Sequence, residues 1–238
     1  MDIIKVKNLT KSYAGHRALN NLSLNIKKGD FFGLLGPNGA GKTTFVRCLL
    51  DILPFEHGSI FIEEVPHKKP QSRAALAYLP EKFSFYPNYS VYQTLHFFAG
   101  TKIENKKEIP LQIEKSLEKM GIQDLSSKKI KHLSKGQLQR VGLAQMLVGR
   151  PHILILDEPF SGLDPLLIKE MKDLLKELKN EGKTIIVNSH ILSEVEIICD
   201  SLAIIDKGKL LAHKRMNELD ISLEDFFCQT IENQRGTR

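Results

Sequence analysis

The chain has 238 residues, of which 42% are apolar and 26% charged, with 16 Gly and 10 Pro. That composition suits a soluble domain with a sizeable core and excludes collagen-like and low-complexity chains. The net charge of +6 favours acidic partners in general, yet the fullest basic cluster, Lys102, Lys106 and Lys107, is diluted by Glu104 and Glu108, so nucleic acid is not expected as a partner.

In chain order, residues 1–6 lack the basic-then-apolar order of a secretory leader, which predicts a chain of the cytosol. Strands are predicted over 3–9, 22–26 and 31–35, separated by Asn20-Asn21 and Gly29-Asp30. The pattern breaks over 36–41, and helical spacing resumes over 42–53. Strands at 59–62 and 75–79 enclose a polar loop over 67–72. From 91 to 149 the spacing turns helical, with Leu95, Phe98 and Ala99 on one face, then Leu111, Ile113, Leu117 and Met120, and a third helix from near Ser134. The apolar run 153–156 is of the kind buried in a parallel sheet. A helix over 166–178, a strand over 184–187, a helix over 191–198 and a strand over 202–205 follow, and 216–238 reads as one helix with a frayed tail. This alternation predicts an α/β core with a helical insertion. No apolar run reaches the roughly 20 residues needed to span a bilayer. Cys48, Cys199 and Cys228 are widely separated, without metal-ligand spacing, and read as reduced thiols.

Gly36-Pro37-Asn38-Gly39-Ala40-Gly41-Lys42-Thr43 fits GxxxxGK[ST] between a predicted strand and a predicted helix. Glycines let successive N–H groups turn inward toward phosphate oxygens, and the following helix offers them its positive end. Lys42 then reaches the β- and γ-phosphates and the Thr43 hydroxyl ligates Mg²⁺, with Thr44 beside them in the nucleotide-binding set.

Further segments follow in a set order. Leu133-Ser134-Lys135-Gly136-Gln137 precedes a helix, Ile153-Leu154-Ile155-Leu156 runs into Asp157-Glu158-Pro159, Ser161-Gly162-Leu163-Asp164 comes next, and His190 sits just past a predicted strand. Taken alone, His190 reads first as a packed histidine or a helix N-cap neighbour. With the phosphate loop, these residues resemble the ATP-binding cassette family, as its Walker A, signature, Walker B, D-loop and H-loop motifs, over about residues 3–212.

The resemblance implies a P-loop NTPase core of the ABC type, α/β, with an N-terminal antiparallel β region and an inserted α-helical subdomain. The core is expected over 1–81 and 151–213, the helical signature subdomain over 82–150, and a C-terminal helix and tail over 214–238. It implies ATP and Mg²⁺ as cofactors, with Asp157 holding Mg²⁺ and Glu158 as the general base for the attacking water. His190 becomes the switch histidine at the γ-phosphate. Ser134, Gly136 and Gln137 cap the γ-phosphate of a second cassette, and Asp164 carries contact between the two. Tyr13 resembles the aromatic residue that stacks on adenine.

Two positions depart from the family pattern. Glu81, after Tyr78-Leu79-Pro80, stands where Gln is usual; a carboxylate there still ligates Mg²⁺ but repels the γ-phosphate. Lys135 stands where Gly is common, and its side chain is expected to point away from the nucleotide. The segments 78–91, 133–136 and 223–227 are similar to ATPase subunits of drug, antibiotic and sodium exporters. The expected protein is therefore an ATP-hydrolysing exporter subunit, peripheral at the cytoplasmic face of the inner membrane. A second cassette, identical or different, and a polytopic permease chain are its expected partners. The competing class is a soluble single-cassette ATPase of a cofactor-assembly complex, such as those serving iron–sulfur assembly.

Overall fold

The computed structural model describes residues 1–236. Its first two strands, β1 (Asp2–Tyr13) and β2 (His16–Lys27), are longer than the pattern predicts. Asn21, which reads with Asn20 as a breaker, and Asn8, inside the strand predicted over 3–9, both take left-handed backbone at irregularities inside the pairing. Their backbone N–H groups donate to Ser23 Oγ (2.9 Å) and Thr10 Oγ1 (3.1 Å), so the strands continue past them. With β4 (His57–Ile62) and β5 (Val65–Pro66) they form an antiparallel sheet in the order β2-β1-β4-β5.

The central sheet starts with β3 (Phe31–Leu35), buried throughout and followed by the 36–41 loop and helix α1 (Lys42–Leu49). Helix α1 stops short of the expected 53, because Asp51 turns left-handed one residue past the cap. The expected polar loop over 67–72 contains a short helix, α2 (Pro70–Ala74), opened by Pro70 in the first turn, where its missing N–H is not needed. Strand β6 (Leu76–Leu79) follows, and then the helical region, α3 (Val91–Lys102), α4 (Ile109–Met120) and α5 (Lys135–Leu147).

The chain returns to the sheet through β7 (Ile153–Asp157), α6 (Pro165–Asn180), β8 (Thr184–Asn188), α7 (Leu192–Ile198) and β9 (Ser201–Asp206). Strand β10 (Lys209–Arg215) was not expected. It lies at the sheet edge, mostly half-buried, and lacks the apolar run that marks its neighbours. The order is β10-β9-β3-β8-β7-β6, with β10 antiparallel to an otherwise parallel set. Helix α8 (Leu223–Gly236) ends the described chain; residues 237–238, the end of the stretch 216–238 expected as one helix with a frayed tail, lie outside the described residues.

Alternation along the central strands separates the core into layers. Phe31, Leu35, Leu154, Leu156, Ile185 and Val187 face the helices. Phe32, Leu34, Ile153, Ile155 and Ile186 face α1 and the antiparallel sheet, meeting Ile4, Val6, Leu22 and Phe45. The fold is thus an α/β sheet between a helical layer and an antiparallel β layer, as expected. The parallel strands β3, β7 and β8 all run toward the same sheet edge, where their C-terminal ends meet the 36–41 loop.

Candidate functional site

The 36–41 loop takes its shape from close backbone packing. Gly36 has φ 154, and a Cβ there would strike the carbonyl oxygen of Ile205. Gly41, the N-cap of α1 at φ 110, faces the Ala18 carbonyl in the same way. The turn between β9 and β10 clamps the loop from outside: Gly208 N donates to Ala40 O (2.8 Å), and Asn20 N donates to Gly208 O (2.9 Å). Helix α1 has no acidic residue in its first turn and no side-chain cap, which leaves its positive end facing the cleft.

Lys42 is 7% exposed, and its ammonium donates to the Gly36 carbonyl (2.6 Å) and the Pro37 carbonyl (3.2 Å). Burial lowers its pKa, while the charges of Glu158 and Asp157 oppose the shift. A phosphate group would offer this cation oxygens of opposite charge in place of neutral carbonyls.

Asp157 closes β7 and is 8% exposed. Asn188 Nδ2 donates to its Oδ1, and the Tyr78 hydroxyl stands 3.4 Å from its Oδ2. Burial raises the Asp157 pKa; the charges of Glu158 and Glu81 push the same way, and the two hydrogen bonds push back. Glu158, at φ 50, bends the chain sharply, and its N–H donates to Asn188 O (2.8 Å). Its carboxylate meets His190 Nδ1 at 2.7 Å and accepts from Ser189 Oγ and the His190 N–H, both at 3.4 Å. A carboxylate oriented by a second titratable group has the geometry of a general base.

These groups line an open cleft of about 430 Å³. It gathers Tyr13, residues 38–44, Glu81, Asp157 and Glu158, together with His16, Ala18 and Asn188, which the sequence reading missed. The rule that strand C-termini face the crevice, applied to Asp157, would also have flagged Asn188 at the end of β8. Gly36, Pro37 and His190 line an adjoining cavity of about 260 Å³ with Phe227 of α8. Ser134, Gly136, Gln137 and Asp164 line neither space. Ser134 and Gln137 form a capping box on α5, Gly136 packs against Leu167, and Asp164 caps α6 through Leu167 N (3.0 Å). The Lys135 ammonium lies over Gly162 of its own chain and does not line the cleft.

The donor set of the cleft suits Mg²⁺. The Thr43 hydroxyl and the carboxylates of Asp157 and Glu81 are hard oxygen ligands, and the buried Asn188 Oδ1 has no hydrogen-bond partner. No group of three or more His, Cys, Asp or Glu among the described residues would hold a metal alone. A partial set fits Mg²⁺, which keeps several waters and shares itself with substrate phosphates.

The family model described as ABC transporter matches residues 19–161. The uncharacterised ABC transporter ATP-binding protein YhcH of Bacillus subtilis (strain 168) is 38% identical over 97% of this chain and 75% of that protein. Nod factor export ATP-binding protein I of Cupriavidus metallidurans is 34% identical over 97% of this chain and 76% of its own length. Among solved structures, cbiO1 from Clostridium perfringens, part of the ABC transporter complex cbiONQ, has a TM-score of 0.82 at 30% identity, covering 100% of this chain and 95% of that one. Sequence, fold and cleft agree: the chain belongs to the ABC transporter family, as an ATP-binding and ATP-hydrolysing cassette.

Proposed function

We propose that this cassette powers an exporter, working with Mg²⁺ as one of a head-to-tail pair and driving a separate membrane-spanning chain. The observation that carries the reading is the convergence of Lys42, Asp157 and Glu158 on one cleft at the C-terminal edge of the parallel sheet. The relative named for Nod factor export supports the direction. That cbiO1 is part of a transporter complex supports the need for partners.

In this reading Tyr13 stacks on adenine and the amides of 38–44 receive the phosphates. Lys42 exchanges the carbonyls of Gly36 and Pro37 for phosphate oxygens. Glu158 takes a proton from the attacking water as its oxygen bonds to the γ-phosphorus. The bond to the bridging oxygen breaks, and its electron pair leaves with ADP. His190 orients the Glu158 carboxylate from 2.7 Å. Mg²⁺, held by Thr43, Asp157 and Glu81, supplies positive charge against the β- and γ-phosphates. Ser134, Gly136 and Gln137 serve the nucleotide of a second copy of the chain, and Asp164 lies at the contact between copies.

No helix among the described residues is long and apolar enough to cross a membrane. The reading seats the cassette peripherally at the cytoplasmic face of the inner membrane. An aromatic groove of about 450 Å³, just beyond Glu81, supports a docked partner: Phe85, Tyr86, Tyr89, Phe97 and Phe98 line it, and Tyr86 and Phe97 are 64% and 51% exposed. A tagged chain, recovered from native membranes in mild detergent, tests the reading. It should bring down a polytopic protein. Recovery only in a complex of soluble proteins would overturn the transporter assignment in favour of an assembly ATPase.

A further inference from the structure

Asn188, the last residue of β8, is 2% exposed and lines the cleft beside Asp157 and Glu158. Its Nδ2 donates to Asp157 Oδ1, and this fixes which end of the amide faces the carboxylate. The reversed amide would set oxygen against oxygen. The same contact leaves Oδ1 buried and without a hydrogen-bond partner. Of the residues that carry a buried, unpartnered side-chain polar atom among the described residues, Asn188 is one that lines the cleft. An unsatisfied buried acceptor is costly, on the order of 1–3 kcal/mol, so its retention in a functional cleft points to a ligand that satisfies it.

We propose that Asn188 is a positioning residue of the magnesium site: Nδ2 holds Asp157, and Oδ1 accepts a hydrogen bond from water carried in with the hydrated cation. This rests on the reading above that Mg²⁺ accompanies ATP. Mg²⁺ dehydrates reluctantly, so the waters it keeps need acceptors on the protein side. Partners that stand behind the direct ligands are worth about 10–100-fold in metal affinity. The backbone of Asn188 is engaged separately, its carbonyl accepting the Glu158 N–H at 2.8 Å, so side-chain replacements leave that link in place.

The test is binding of the non-hydrolysable analogue AMP-PNP to the purified full chain, with Mg²⁺ and with EDTA. Asn188→Leu keeps the branching and the number of side-chain heavy atoms and removes both polar ends; Asn188→Ala removes them with a smaller side chain and decides the matter should the bulkier Leu variant not fold. Each should lose about tenfold or more of the magnesium-dependent gain in affinity, with affinity in EDTA close to wild type. With Mn²⁺ replacing Mg²⁺, the electron paramagnetic resonance line shape of the bound cation should change as well. A wild-type chain that binds equally with and without Mg²⁺ overturns the magnesium reading and this inference with it. A wild-type magnesium gain and Mn²⁺ spectrum kept in the variants overturn the role of Asn188 alone.

Discussion

His190 Nδ1 lies 2.7 Å from Glu158 Oε1, although the His190 side chain is 61% exposed and that of Glu158 only 13%. The imidazole thus holds the carboxylate from the solvent side, while the Glu158 N–H, donating to Asn188 O, ties the backbone of the same residue to the end of β8.

Replacing Glu158 by Gln should therefore leave ATP binding intact and cut turnover by about 10²–10⁴, the usual worth of a positioned base. ATP should then accumulate with paired cassettes, visible by size-exclusion chromatography. His190→Ala should slow the same step, and the double variant should lose little more than Glu158→Gln, because the two act as a unit. Fully additive losses would dissociate the pair.

For Lys42→Ala, the phosphates lose a charged partner, and charge-assisted hydrogen bonds are worth about 1.5–3 kcal/mol. Titration calorimetry should find ATP affinity reduced by roughly 10–150-fold at that value. Wild-type affinity would remove Lys42 from phosphate binding.

Tyr13 is 43% exposed beside the β1–β2 turn, with the Lys11 ammonium 5.3 Å from its ring centroid. Stacking on a base is sequence-tolerant and worth about 1–3 kcal/mol. Tyr13→Ala should weaken ATP and GTP alike by that amount. A loss for only one of them would mean that Tyr13 recognises base edges instead.

A pH effect arises far from the cleft. His67 is 5% exposed and stacked on Phe55 at 5.2 Å; burial lowers its pKa, against the nearby charge of Asp51. His213 is shifted down by burial too. Both histidines bind protons more readily once unfolded, so stability is complete above about pH 6.5 and falls as pH drops through their lowered folded values. Urea unfolding at pH 7 and pH 5 should register the loss, and His67→Gln should reduce it. An unchanged loss in that variant would put the titrating group elsewhere.

Much of the site was legible because its chemistry is local. Residues 36–43 carry their spacing within one turn, and Asp157 and Glu158 follow an unbroken apolar strand. What escaped depends on contacts between distant segments. Asn188 reads as an ordinary polar strand end until β8 lies beside β7 and brings its amide to Asp157. Phe227 reads as part of a terminal helix, yet it reaches the cavity beside His190. Strand β10 is half-exposed and polar, so only its pairing with β9 reveals it. Asn21 misled for the opposite reason: its local turn preference, read with Asn20 as a break between strands, was absorbed as an irregularity in a longer hairpin.

The β9–β10 turn carries a mechanical consequence. Gly208 is bonded on one side to Ala40 and on the other to Asn20, so the phosphate loop, the antiparallel sheet and the edge of the central sheet are riveted together. A nucleotide entering this frame meets a stiff anvil. On the proposed reading, the work of the ATP cycle is then expected to pass into the parts that the rivet leaves out, the helices from Val91 onward and the loop that carries Glu81.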